Sequence, residues 1–234
     1  MGDNSWWITK QWRRLRSWVY DIIIVAMTSA WYRAVMTDLP MDAVVLDVGI
    51  GTGNALLANR DLLVTKNLRF VGVDYDADYI ATARAAVATH RGCGERVELH
   101  CASIFDFTPA TKVDAVYFSG SFMILPDKVK ALRMCAEQLK DRATGAVYFT
   151  QTLEKKGTAI GFVLGKVKPL LKHLLTIDFG EVTHQEDLLA AVGAAGLEVH
   201  QLTVLKKGAT RDQVMLKAGW PGSAPGSPGR VRGG

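Results

Sequence analysis

Asp47-Val48-Gly49-Ile50-Gly51-Thr52-Gly53-Asn54 is the stretch whose residue types and spacing could do chemistry. Glycines at alternate positions let a backbone approach a ligand where a Cβ would collide. The apolar run Ala43 to Leu46 precedes them, in the pattern of a strand buried on both faces. Ala55 to Asn59 follows and reads as the start of a helix, whose first N–H groups would be free to meet a ligand. The spacing is D-x-G-x-G-x-G; a dinucleotide fingerprint, G-x-G-x-x-G, would place glycine where Asn54 stands. Leu68 to Asp74 reads as a second buried strand ending in a carboxylate, 21 residues past Gly53. An acid at about that separation accepts hydrogen bonds from ribose hydroxyls in α/β nucleotide folds.

The elements that must position these groups alternate along the chain. Ala77 to His90 reads as a helix, and Arg96 to Asp106 as a third strand with its loop. Val113 to Ser119 reads as a fourth strand leaving through Gly120, Ser121 and Phe122. Val129, Leu132, Met134, Cys135 and Leu139 recur near a helical period between Asp127 and Lys140. Gly145 to Thr152 reads as a fifth strand, whose end residues Thr150 and Gln151 either meet a ligand or simply finish it. Strands alternating with helices make a layered α/β sheet, and ligands sit beyond the carboxyl ends of such strands.

From about Ala43 to about Lys217 the ordered set resembles the class I S-adenosylmethionine-dependent methyltransferases, in their small-molecule, quinone and phospholipid branch. The resemblance implies an α/β, doubly wound seven-stranded sheet, mostly parallel with strand 7 antiparallel, helices on both faces and an N-terminal helical lid. In it, Glu186 to Gly193 is the last helix, Leu197 to Leu205 the sixth strand and Gln213 to Lys217 the seventh, inserted between five and six. It implies S-adenosyl-L-methionine as cofactor, bound by Asp47, Gly49, Gly51, Gly53, Asn54, Asp74, Tyr75, Ser103, Ile104 and Ser119. Many relatives carry an acid where Ser103 aligns; its hydroxyl can also accept, and Asp106 is the alternative contact for adenine. Relatives that methylate amines in nucleic acids or proteins often carry N/D-P-P-Y/F where this chain has Ser119-Gly120-Ser121-Phe122. The departure favours a small-molecule or lipid-like acceptor, methylated by in-line displacement. Protein methylation and a catalytically degenerate cofactor-binding module are the alternatives. Tyr20 and Tyr32 resemble lid residues near the reacting centre, and His184 and His173 are candidate general bases that also read as structural.

The chain of 234 residues, 49% hydrophobic, fits one domain with a full core. Its net charge of +5 gathers no continuous basic run or motif, so no nucleic-acid partner is expected. Cys93, Cys101 and Cys135 form no C-x-x-C pair, which suggests a reducing compartment and a cytoplasmic protein, and no cluster has metal-ligand spacing. Residues 1–40 form a segment apart, with Trp6, Trp7, Trp12 and Trp18 among Lys10, Arg13, Arg14 and Arg16. Asp21 and Arg33 interrupt its apolar stretch, too short for a span of about 20 apolar residues. It reads as a lid, with contact to a membrane surface as an added role. Residues 41–218 form the catalytic domain, 155–183 an apolar, lysine-studded insertion over the substrate, and 219–234 a Gly/Pro/Ser-rich tail expected to be disordered. The oligomeric state is not legible in these residues.

Overall fold

The computed structural model describes residues 25–154 and 184–223. Tyr20, His173, the Trp/Arg-rich front end and the 155–183 insertion lie outside the described residues. One seven-stranded sheet runs in the order β3-β2-β1-β4-β5-β7-β6. Its strands are β1 (Val44–Val48), β2 (Arg69–Asp74), β3 (Val97–Cys101), β4 (Ala115–Ser119), β5 (Ala146–Glu154), β6 (Glu198–Lys206) and β7 (Arg211–Gly219). The pairs among β1 to β5 are parallel, and β7 is antiparallel to both β5 and β6. This is the doubly wound sheet with an antiparallel seventh strand that the sequence led us to expect.

Helices cover both faces. On one lie α1 (residues 25–38), α2 (Asn54–Leu57), α3 (Arg60–Thr65) and α4 (Ala77–Thr89); Tyr32, Val35, Met36, Leu56, Leu63 and Ile80 join Val45, Phe70 and Tyr117 in its core. On the other, α5 (Lys128–Ala136) and α6 (Gln185–Ala194) bring Leu132, Cys135, Leu188 and Val192 against Leu46, Val116, Phe149 and Leu216. β1 and β4 are apolar almost throughout because they are covered on both sides. β6, at the sheet edge, leaves Val199, Leu202 and Val204 partly exposed.

Polar anchors fix α1 to the sheet. Lys66 donates to the carbonyls of Met36, Thr37 and Leu39, the unsatisfied acceptors at the helix C-terminus. Asp38 accepts from Lys217 Nζ at 2.7 Å and Tyr148 Oη at 2.6 Å. Buried Asn59 donates to the carbonyls of Ser29 and Ala55. The helix expected from Ala55 divides at Asn59 into two short pieces.

Gly219 closes β7, and beyond it the Ser223 hydroxyl lies 3.1 Å from His200 Nε2. Residues 224–234 lie outside the described residues.

Candidate cofactor-binding site

The strand order reverses between β1 and β4, and the crevice beyond their carboxyl ends is where an open α/β sheet receives a ligand. The glycine loop stands at that point. Gly49, Gly51 and Gly53 have φ of 78°, 59° and 69°, a region that costs a side-chain-bearing residue about 1–2 kcal/mol. A Cβ on Gly49 would lie 2.6 Å from that of Ser121, whereas one on Gly51 would meet nothing within 4 Å among the described residues. Gly49 is therefore required by protein packing, and Gly51 opens onto free space. Ile50 points down instead: a Cβ on Gly72 would reach its Cδ1 at 2.4 Å, so β2 needs glycine there to seat the loop.

Hydrogen bonds hold the loop's shape. Gly49 N–H donates to the Val73 carbonyl at 2.8 Å, and Gly51 N–H to Asp74 Oδ2 at 2.9 Å. The other Asp74 oxygen accepts from the Asp76 N–H at 3.0 Å. A carboxylate offers about four lone-pair sites, so Asp74 ties the loop to β2 and keeps acceptor capacity for hydroxyls. Asp76 caps α4 by accepting from the Asp78 and Tyr79 N–H groups. Tyr75, between the two acids, is 78% exposed.

Asp47 is fully buried at the end of β1. Its Oδ2 accepts from Tyr32 Oη at 2.7 Å, and its Oδ1 has no partner among the described residues. Burial pushes its carboxyl up to about 7, against the Tyr32 hydrogen bond and with a further push from the Asp74 charge. Burial first, then the Asp47 charge, raises the Tyr32 phenol well above its ordinary value. Tyr32 is therefore a neutral donor behind the site. The sequence placed it near the reacting centre, but the structure gives it the backing of Asp47.

The β4 exit is stitched rather than open. Ser121 donates its hydroxyl to the Val48 carbonyl, joining the ends of β1 and β4. Phe122 is buried with its ring 5.2 Å from Phe118 and 4.8 Å from Phe149, so it belongs to the core and does not face an acceptor. Half-buried Ser119 and Gly120, and Ile124 at 66% exposure, remain at the mouth. Trp31 borders it: a Cβ on Gly120 would meet its ring at 3.4 Å, and its Nε1 donates to Gln213 at 3.0 Å. Single-sequence reading missed this bracing, since nothing in Gln213 marks a partner 182 residues away.

The other expected contacts scatter around this frame. Ser103 Oγ accepts from the Phe105 N–H at 3.2 Å, Ile104 is buried, and Asp106 is exposed. Asn54 is exposed as the first residue of α2, with Gly53 as its cap. His184 is the N-cap residue of α6, its Nδ1 buried without a partner among the described residues. Among the described residues no group of His, Cys, Asp and Glu could hold a metal ion, and no helix is long and apolar enough to cross a membrane.

The frame fits a nucleoside carrying a cationic amino-acid end. Among the described residues the Gly51 side is open, Asp74 and Tyr75 stand side by side, and a buried carboxylate oxygen lacks a donor. Residues 45–142 match the family model described as a methyltransferase domain. Among solved structures, the chain is similar to a putative sarcosine dimethylglycine methyltransferase from Galdieria sulphuraria, with 15% identity over 90% of this chain and 87% of that one and a TM-score of 0.60. It is similar to geranyl diphosphate C-methyltransferase from Streptomyces coelicolor A3(2), a complex with geranyl diphosphate and S-adenosyl-L-homocysteine, at 15% identity over 81% and 76% with a TM-score of 0.59. It is also similar to the cyclase SpnF, at 19% identity over 80% and 79% with a TM-score of 0.61. No curated protein matches the chain by sequence.

Proposed function

We propose, from the match of residues 45–142 to a methyltransferase-domain model and from the resemblance of the chain to the class I S-adenosylmethionine-dependent enzymes, that this protein methylates a small-molecule or lipid-like acceptor. The observation that carries the reading is the Gly51 to Asp74 hydrogen bond, which joins an open glycine turn to a carboxylate at the switch point of the sheet.

When bound, S-adenosylmethionine supplies an electrophilic methyl group on a sulfonium. The chain's own part is binding and alignment. Asp74 would take the ribose hydroxyls, Tyr75 and Ile104 would flank the base, and Asp47 would face the amino-acid end. Ser119, Gly120 and Trp31 would form the wall where an acceptor is oriented, and orientation by itself can supply much of the acceleration. The β4 exit from Ser119 to Leu125 carries no ionisable side chain. An acceptor that must lose a proton would depend on a base from elsewhere, for which His184 is the described candidate.

Small molecules are favoured over proteins because Ser-Gly-Ser-Phe replaces an amine-clamping loop, and because the two similar methyltransferases are named for small acceptors. A second reading, a cofactor-binding module without methyl transfer, is favoured by the same uncharged exit and by the similarity to a cyclase. Membrane contact through the Trp/Arg segment and a cytoplasmic location remain proposals from sequence. The test is incubation with methyl-labelled cofactor and a panel of amines, phenols, isoprenoids, phospholipids and total protein. Label in one small-molecule class, matched by demethylated cofactor, is expected. Label in protein alone would select the runner-up, and a bound but unconsumed cofactor the degenerate module.

A further inference from the structure

We propose that Tyr32 is a positioning residue for cofactor binding: its hydroxyl holds Asp47 as the receptor for a cationic ammonium group, coupling α1 to the occupied site. The inference rests on the cofactor reading above. Tyr32 reaches Asp47 from a helix outside the glycine motif, and its ring is locked edge-on against Tyr117 at 4.9 Å and tilted against Phe70 at 6.4 Å. One Asp47 oxygen is thereby fixed, while the other, equally buried, has no donor among the described residues. A buried carboxylate in that state is costly unless a donor or cation completes it.

Among the described residues, the titratable groups facing Asp47 are Tyr32 from α1, Tyr117 from β4 and Asp74 from β2. None is a cation. Tyr117 is itself occupied, its hydroxyl 2.8 Å from Thr150 Oγ1. A ligand's ammonium group would supply that charge, and the cofactor's amino-acid end carries one. Because Lys66, Asp38 with Lys217, and Asn59 anchor α1 independently, removing one hydroxyl should leave the helix docked.

Two ligands separate this role from packing. S-Adenosylhomocysteine carries the ammonium, and 5′-methylthioadenosine keeps the nucleoside and thioether without it. Calorimetric titration of wild type, Tyr32→Phe and Asp47→Asn between about pH 5.5 and 8 reads the difference. In wild type, S-adenosylhomocysteine should bind about 30-fold more tightly at the upper end, because Asp47 ionises near pH 7 and only the ionised form attracts the ammonium. Tyr32→Phe removes a hydrogen bond that favours the ionised form. Its affinity for S-adenosylhomocysteine at pH 7 should fall about tenfold, with the pH midpoint moved upward. Asp47→Asn should flatten the pH dependence. Binding of 5′-methylthioadenosine should stay flat with pH and unchanged in Tyr32→Phe, which also shows that the variant is folded. An unchanged midpoint in Tyr32→Phe, or equal loss of both ligands, would overturn the proposal by reducing Tyr32 to packing. If neither ligand binds wild type, the cofactor reading fails first and the proposal with it.

Discussion

Alanine at Gly51 and at Gly49 should separate ligand space from protein packing, although both positions have positive φ. At Gly51 the left-handed backbone costs about 1–2 kcal/mol, and reduced freedom of the unfolded chain returns about 0.4–1. With nothing within 4 Å of the new Cβ, no clash is added. The net loss is about 1 kcal/mol, a fall of roughly 2–4 °C in Tm for a domain of this size. At Gly49 the Cβ would press on Ser121 at 2.6 Å, adding the roughly 1–3 kcal/mol of an overpacked site. The total of about 2–4 kcal/mol corresponds to a fall of roughly 4–16 °C. The assay pairs a thermal melt without ligand and a calorimetric titration with S-adenosylhomocysteine below the lower Tm. Gly51→Ala should melt close to wild type yet bind at least tenfold more weakly, because its methyl group would occupy the space left for the ligand. A folded Gly51→Ala that binds like wild type would refute the assignment of that space to the cofactor.

Asp38 and Lys217 form an ion pair whose lysine is almost wholly buried. Burial tends to raise the Asp38 carboxyl, but hydrogen bonds from Lys217 and Tyr148 and the charges of Lys217 and Lys66 outweigh it and hold the group below its ordinary value. A depressed carboxyl stabilises the fold above the unfolded value of about 3.9, and that contribution is lost as pH falls through the folded value. Urea unfolding should show wild type losing more stability than Asp38→Asn between about pH 6 and 3, and the variant should be weaker at pH 6 by about 2–3 kcal/mol, the buried-pair value reduced for partial exposure. For Asp47 the sign reverses: its stabilising contribution is complete below about pH 3.9 and is lost as pH rises through about 7. Asp47→Asn should therefore unfold at higher urea than wild type at pH 8 without ligand, by up to about 4 kcal/mol; equal midpoints would show that Asp47 ionises freely. A thiol reagent should modify only exposed Cys101 in the native protein and all three cysteines after unfolding, because Cys93 and Cys135 are buried and burial raises both thiols, Cys135 up to about 12.

The glycine loop, the second-strand acid and the alternation of strands with helices were legible because each leaves a local mark: alternate glycines, a carboxylate after an apolar run, apolar runs separated by helical periods. The place of the seventh strand came from the resemblance. What was hidden is mostly long-range. Nothing near Lys217 marks it as buried, since its partner Asp38 stands 179 residues earlier. Phe122 leaves the carboxyl end of a strand, where ligands sit, yet Phe118 and Phe149 hold it in the core. Tyr32 was singled out by resemblance as a residue near the chemistry; its hydrogen bond puts it behind Asp47. The helix expected to reach Lys140 ends at Ala136 because Val113 and Leu139 bridge in parallel and draw the chain back to the sheet. Seating Ile50 over Gly72 joins two motifs that read as independent in the sequence.

Titration of wild type and Asp74→Ala with S-adenosylmethionine tests the central claim most directly. Wild type should bind one cofactor per chain. Asp74→Ala, losing both the ribose acceptor and the Gly51 tether, should bind at least tenfold more weakly, a loss of about 1.4 kcal/mol or more. A folded wild-type protein that takes up no cofactor, or an Asp74→Ala variant that binds equally well, would contradict the account.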